Sequence, residues 1–90
     1  AIKDAGLKPG SDILVVSIDG VPDIFTAIAA GEANATVELT PNMAGPAFDA
    51  LAAYKKDGTV PPKFIITESK LYTAADDPKG EYERRKGLGY

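Results

Sequence analysis

The chain contains neither cysteine nor histidine among its 90 residues. Without cysteine it can form no disulfide and offers no thiol nucleophile. Without histidine it lacks the side chain that most often acts as a general base or binds a transition metal. The sequence therefore predicts that the chain is not an enzyme and that it holds no metal or other cofactor. The acidic residues near the end also lack the spacing of a calcium-binding loop; they are Asp76, Asp77, Glu81 and Glu83.

Clustered positive charge is missing as well. The formal net charge is −3, and the ten Lys and Arg residues are spread along the chain. The densest basic group, residues 84–86, lies next to Glu81 and Glu83, a pattern typical of a solvated helix face. Because nucleic-acid binding requires a basic patch that releases counterions, we expect no nucleic-acid partner.

No long hydrophobic run is present, since the longest covers only residues 13–16. A membrane-spanning helix needs ~20 apolar residues, and no signal peptide is visible either. The chain begins at Ala1 without methionine, and residues 1–6 look like the last turns of a helix that ends at Gly6 without an N-cap. We therefore expect the chain to have been cut from a longer protein.

Short apolar segments alternate with helical ones. Pro22 and the Thr40-Pro41 pair are typical helix starts, and Gly31 and Gly58 are typical helix ends. Alternation with short connections predicts an α/β fold with a parallel sheet. The predicted elements are a strand at 13–18, a helix at 22–31, a strand at 35–39, a helix at 41–57, a strand at 63–67, an extended piece at 71–73 and a helix at 79–86.

The predicted core follows from helical spacing. Apolar residues recur on one face of each of the first two complete helices. In the first they are Ile24, Phe25 and Ile28, and in the second Met43, Ala47, Leu51 and Tyr54, with Phe48 beside them. Aromatic residues at core spacings pack in the interior more often than they stack on a ligand; here they are Phe25, Phe48, Tyr54 and Phe64.

Two carboxylates stand where open parallel sheets bind ligands, at the carboxyl ends of predicted strands. Asp19 ends the first strand, and Gly20 after it permits a sharp turn and a close approach. Glu38 lies near the end of the second. A carboxylate there can accept two hydrogen bonds from neighbouring hydroxyl groups. One alternative is that Asp19 forms the turn and caps the next helix. The other is that Glu38 is a solvated strand residue. A catalytic carboxylate pair is disfavoured, because nothing nearby is placed to raise the pKa of either carboxyl group.

Several segments, in this order and spacing, resemble the carboxyl-terminal third of periplasmic sugar-binding proteins of ABC transporters. The resemblance covers nearly the whole chain, and the galactofuranose-binding branch is the most similar. The segments that carry it are residues 5–10 (AGLKPG), 13–23 (ILVVSIDGVPD), 27–41 (AIAAGEANATVELTP), 46–51 (PAFDAL) and 54–58 (YKKDG).

This resemblance implies a partial periplasmic-binding-protein type I fold, with two Rossmann-like lobes that close on a monosaccharide. It implies that Asp19 contacts sugar hydroxyls. The polar contact from the next strand would fall on Leu39, a departure from the family pattern, so Glu38 is the candidate to replace it. The implied division is residues 1–38 in the carboxyl-terminal lobe, 39–67 crossing into the amino-terminal lobe, and 68–90 returning as a tail helix.

The resemblance also implies partners and a location. We expect a monosaccharide ligand such as galactofuranose, an ABC permease, and contact with the remainder of the parent chain or, through exposed apolar surface, with further copies of this chain. The expected location is the periplasm, or a lipid-anchored extracytoplasmic position in a Gram-positive organism. The alternative is the effector-binding part of a LacI-type transcriptional regulator, which shares the fold.

Overall fold

The computed structural model describes residues 1–88; Gly89 and Tyr90, the end of the predicted 68–90 segment, lie outside the described part. Short strands and helices follow one another along the chain. In order they are β1 (Val16–Asp19), α1 (Pro22–Ala29), β2 (Ala35–Glu38), α2 (Ala44–Asp57), β3 (Leu71–Thr73) and α3 (Pro78–Arg85), with a short 3₁₀ turn (Ala74–Asp76) before α3.

The strands form one mixed sheet with the order β1-β2-β3. β1 and β2 are parallel, and their register places Asp19 opposite Glu38. β3 runs antiparallel to β2, with Thr36 opposite Tyr72. The predicted α/β fold and its parallel pair are therefore confirmed, whereas the expectation of a purely parallel sheet is corrected by β3.

The strand predicted at residues 63–67 is wrong. These residues form no regular structure, and Phe64 and Ile66 are 75% and 91% exposed. A strand needs a neighbour for its backbone hydrogen bonds, and these residues have none within the described sheet. The third position of the sheet is taken by β3 instead. Residues 1–6, expected to end a helix, form turns only.

Helix α2 begins three residues later than predicted, at Ala44 rather than Pro41. Pro46 explains the difference, because proline has no N–H and its ring clashes with the carbonyl four residues earlier. In a helix that began at Pro41, Pro46 would break the second turn. In the observed helix it falls in the first turn, where the N–H groups have no helical partner anyway. The Thr40 hydroxyl accepts instead from the Asn42 N–H, at 3.2 Å.

The core lies between one face of the sheet and helices α1 and α3. Phe25 and Ile28 of α1 are 0% and 2% exposed, as the spacing predicts. The Phe25 ring meets the Tyr72 ring of β3 edge to face, with centroids 5.2 Å apart. Thr36 is also fully buried, and its hydroxyl is 2.8 Å from that of Ser17 on β1.

The opposite face of the sheet is apolar and open to solvent. Its side chains line a shallow cleft of about 480 Å³. We call this surface the exposed sheet face; its large apolar residues are Val16, Ile18, Val37 and Leu71, which are 73%, 70%, 39% and 56% exposed. The near-continuous apolar character of β1 is typical of strands covered on both sides, so one covering layer is lacking among the described residues.

Helix α2 contributes nothing to the core. None of its residues is buried, and Phe48, Leu51 and Tyr54 are 68%, 51% and 52% exposed. The prediction that these residues pack in a core, together with Phe64, is therefore wrong for the described chain. The radius of gyration, 17.9 Å, exceeds the ~12 Å of a compact domain of this length, because the buried residues all fall within residues 20–36 and 72–85.

Two phenylalanines test where the core lies. Replacing the buried Phe25 by alanine should lower the free energy of unfolding by about 3–5 kcal/mol and leave so small a core unfolded. Replacing the exposed Phe48 by alanine is the matched control and should change the free energy by no more than about 0.5 kcal/mol. Urea denaturation followed by circular dichroism measures both variants. Equal losses would contradict the described core.

Candidate functional site

The two carboxylates singled out by the sequence lie side by side at the carboxyl ends of β1 and β2. Asp19 and Glu38 are register partners in the parallel pair, so their backbones are separated by the ~4.8 Å spacing of neighbouring strands. The sheet therefore brings the two predicted site residues together. Their surroundings differ, however, and so does what each can do.

Asp19 presents a carboxylate without a partner. It is exposed, and within residues 1–88 its side chain makes no hydrogen bond or ion pair. The first turn of α1 has no side-chain cap, so the alternative in which Asp19 caps this helix is not observed. Its unused oxygens can accept hydrogen bonds from a ligand.

The backbone at Asp19 is held in an unusual conformation. Its φ is +97°, a region that residues with a side chain rarely adopt and that costs of order 1–3 kcal/mol. Gly20 follows with φ +69°, and a Cβ atom there would lie 3.3 Å from the Glu38 Cα. The chain thus turns tightly against β2 before α1 begins, and strain of this kind is concentrated at functional sites.

Glu38 is held by protein groups. Its side chain is 18% exposed, and its Oε1 accepts from Nη1 of Arg85 at 2.8 Å. Its Oε2 is 3.4 Å from the Tyr72 hydroxyl, a weak contact. The alternative of a solvated strand residue is therefore incorrect for this side chain, which ties β2 to α3 and β3.

Arg85 is the residue that the sequence interpretation missed. Residues 84–86 were expected to form a solvated face, yet Arg85 is only 8% exposed. Its guanidinium carbon lies 5.0 Å and 5.2 Å from the ring centroids of Phe25 and Tyr72. Its Nε and Nη2 donate to Glu81 at 3.1 Å and to the Tyr72 hydroxyl at 3.0 Å. The four-residue spacing from Glu81 was the only sequence signal, and exposed helices show the same spacing.

The pKa values follow from these contacts. Burial alone would lower the pKa of Arg85, but its hydrogen bonds to Glu38 and Glu81 outweigh burial and raise it. Burial alone would raise the pKa of Glu81, yet the hydrogen bonds from Arg84 and Arg85 lower it overall. Arg85 is therefore positively charged at neutral pH. We call Arg85, Glu38, Glu81 and Tyr72 the arginine cluster.

Residues 1–88 contain no group of three or more acidic side chains that could hold a metal ion. None of the helices in this range is both long enough and apolar enough to cross a membrane.

Comparison with known proteins supplies the chemical context. No protein-family model matches the chain. It is 67% identical, over all of its 90 residues, to the galactofuranose-binding protein YtfQ of Escherichia coli, and it spans 28% of the length of that curated relative. It is also similar over its whole length to a crystal structure of a galactofuranose-binding protein, with a TM-score of 0.87 and 67% identity, and it covers 30% of that chain.

A third relative binds a different sugar. The periplasmic binding protein of the arabinose ABC transporter from a Shewanella species, solved with α- and β-L-arabinofuranose, is 53% identical and has a TM-score of 0.85. The match covers 98% of this chain and 29% of that one. These homologues confirm the resemblance to periplasmic sugar-binding proteins of ABC transporters, galactofuranose branch included. They do not support the transcriptional-regulator alternative.

The strain at Asp19 gives a stability prediction. Glycine adopts φ +97° without a steric penalty, whereas alanine does not. Asp19→Gly should therefore be about 1 kcal/mol more stable than Asp19→Ala, the reverse of their order at an ordinary strand position. Thermal or urea unfolding of the two variants provides the measurement. If alanine is the more stable residue, the positive φ at Asp19 is incorrect.

Proposed function

We propose that this chain is part of the binding protein of an ABC transporter, that it supplies one wall of a monosaccharide site, and that Asp19 contacts the sugar. The observation that carries the proposal is the 67% identity with a galactofuranose-binding protein over all 90 residues. The unpartnered Asp19 carboxylate at a parallel strand end supports the assignment of the contact. In this role the protein captures its ligand and is not an enzyme.

The chemistry of Asp19 suits a sugar. A carboxylate can accept hydrogen bonds from two neighbouring hydroxyl groups, and such charge-assisted bonds are stronger than neutral ones. The two named relatives bind galactofuranose and arabinofuranose, so we propose a monosaccharide in its five-membered furanose form as the ligand. Glu38 lies beside Asp19 at the same strand ends, but its carboxylate is engaged by Arg85 and Tyr72, so the proposed sugar contact from this pair is Asp19.

The rest of the site comes from polypeptide outside these 90 residues. The chain spans less than a third of its relatives, and both the exposed sheet face and α2 leave apolar side chains uncovered. We propose that residues 1–38 and the returning segment 68–90 belong to the carboxyl-terminal lobe, and that residues 39–67 cross to the other lobe. The absence of buried residues between positions 37 and 71 supports this division.

The proposed partners follow from the same role. Closure of two lobes over the sugar would produce the form that an ABC permease recognises, through a shift in population driven by the higher affinity of the closed state. The relative from the arabinose transporter is a periplasmic protein, so we propose the periplasm as the location. In the isolated chain, this uncovered apolar surface is expected to bind further copies of the chain.

Substitution of Asp19 tests the proposed function. In a longer protein that contains this chain, Asp19→Ala should weaken sugar binding by at least ~100-fold, because two charge-assisted hydrogen bonds of ~1.5–3 kcal/mol each are lost. Calorimetry with D-galactose and L-arabinose, whose furanose and pyranose forms interconvert, is the measurement. Asp4→Ala is the control, since its side chain is 87% exposed and its neighbour Lys3 pairs with Glu32, which precedes the amino end of β2. Unchanged affinity for either sugar in Asp19→Ala would remove Asp19 from the site.

The isolated 90-residue chain should self-associate through the exposed sheet face. Ile18→Lys should shift the population toward monomer, because Ile18 belongs to that face and is 70% exposed. Val60→Lys is the matched control, as Val60 is 78% exposed but lies outside the sheet. Light scattering over a concentration series measures both. A stable monomer at high concentration in the unmodified chain would contradict the prediction.

A further inference from the structure

We infer that Arg85 is a positioning residue for the sugar site: it neutralises Glu38, so that a sugar can cover the strand ends without burying an unpaired charge next to Asp19. The inference rests on the proposed function. It concerns a residue that sits behind the site rather than at its surface.

Two acidic residues occupy neighbouring strand ends. Asp19 and Glu38 are register partners on parallel strands. Like charges opposite one another destabilise a sheet. One of the two carboxylates therefore needs compensation, and the geometry assigns it to Glu38.

The Arg85 guanidinium is fixed in position. Arg85 cannot follow a moving partner, because it is packed against the rings of Phe25 and Tyr72 and is also bonded to Glu81. Its 2.8 Å bond to Oε1 therefore holds the Glu38 carboxylate in one place. A planar guanidinium with several donors is suited to such fixed pairing, whereas a lysine is not.

Sugar binding would change the hydration of Glu38. The Glu38 side chain is already 18% exposed, and a sugar bound at Asp19 would remove part of its remaining hydration. Taking a charge out of water is costly unless it is paired. With Arg85 in place Glu38 is paired, so sugar binding leaves its charge compensated. Without Arg85, binding would have to desolvate a bare carboxylate or protonate it.

Proton linkage makes this requirement measurable. In an Arg85→Met variant, sugar binding should be coupled to proton uptake by Glu38, so affinity should rise as the pH falls from 8 toward 5. The protein with Arg85 should lack this trend. The other charged or titratable groups facing Glu38 from the packed elements are Asp19 on β1, Tyr72 on β3 with Lys70 over its ring, and Glu81 and Arg84 on α3.

The experiment compares four forms of a longer sugar-binding protein that contains this chain. They are the unmodified protein, Arg85→Met, Glu38→Gln, and the double variant Arg85→Met with Glu38→Gln. Calorimetry with D-galactose at pH 5, 6.5 and 8 gives the affinities, and circular dichroism checks folding. At pH 8 we expect Arg85→Met to bind at least ~10-fold more weakly than the unmodified protein. Glu38→Gln and the double variant should bind within ~3-fold of it, without the acid-side gain.

The outcomes separate charge compensation from simple packing. If the double variant binds as weakly as Arg85→Met, or if Arg85→Met shows no pH trend, Arg85 acts only through packing and the inference is overturned. If Arg85→Met does not fold, Glu38→Gln decides: a loss as large as that of Asp19→Ala makes Glu38 itself the essential contact and contradicts the inference. If the unmodified protein binds no sugar, the proposed function fails and the inference fails with it. Sugar binding that is lost in Asp19→Ala but unchanged in Arg85→Met refutes the inference alone.

Discussion

A guanidinium buried among aromatic rings and carboxylates holds this small structure together. Arg85 is the one charged residue buried within residues 1–88, and it contacts side chains from α1, β2 and β3 as well as its own helix. A buried charge is tolerated only when its hydrogen bonds are satisfied, and the observed docking of α3 provides Arg85 with bonds to Glu38, Glu81 and Tyr72. The position of the last helix, the burial of Tyr72 and the orientation of Glu38 all depend on this requirement.

The same arrangement explains why the sheet has two different faces. On the side of α1 and α3, aromatic and aliphatic side chains surround the arginine and form the core. On the other side, apolar residues of all three strands remain open. Apolar residues occupy both faces of the sheet, but among the described residues only one face is covered by helices. Much apolar surface therefore remains in contact with water. The elongated shape, 62 Å in its longest dimension, reflects the same shortage of partners around α2 and the segment after it.

Local sequence patterns predicted the elements whose partners lie nearby. α1 and β2 form where Pro22 and the Gly31 stop predict them, because α1 lies between two strands that pair directly. β1 begins at Val16 rather than at the predicted residue 13, so the first half of the apolar run lies outside the sheet. The rule for parallel strand ends also brought Asp19 and Glu38 together. Predictions failed where the outcome depends on contacts between distant parts of the chain. Residues 63–67 have the composition of a strand but no neighbouring strand in the described sheet. Arg85 has the spacing of a surface ion pair but is buried against Phe25. Pro46 could have corrected the start of α2 from the sequence alone.

At the strand ends, a strained and unpartnered Asp19 stands beside Glu38, whose charge is compensated by Arg85. The most direct measurement is a crystal structure of a longer homologous protein that contains this chain, with a furanose sugar bound. We expect a carboxylate oxygen of Asp19 within hydrogen-bond distance of a sugar hydroxyl, while Glu38 keeps its ion pair with Arg85. A sugar bound away from the ends of β1 and β2, or a Glu38 released from Arg85 by the ligand, would contradict the account.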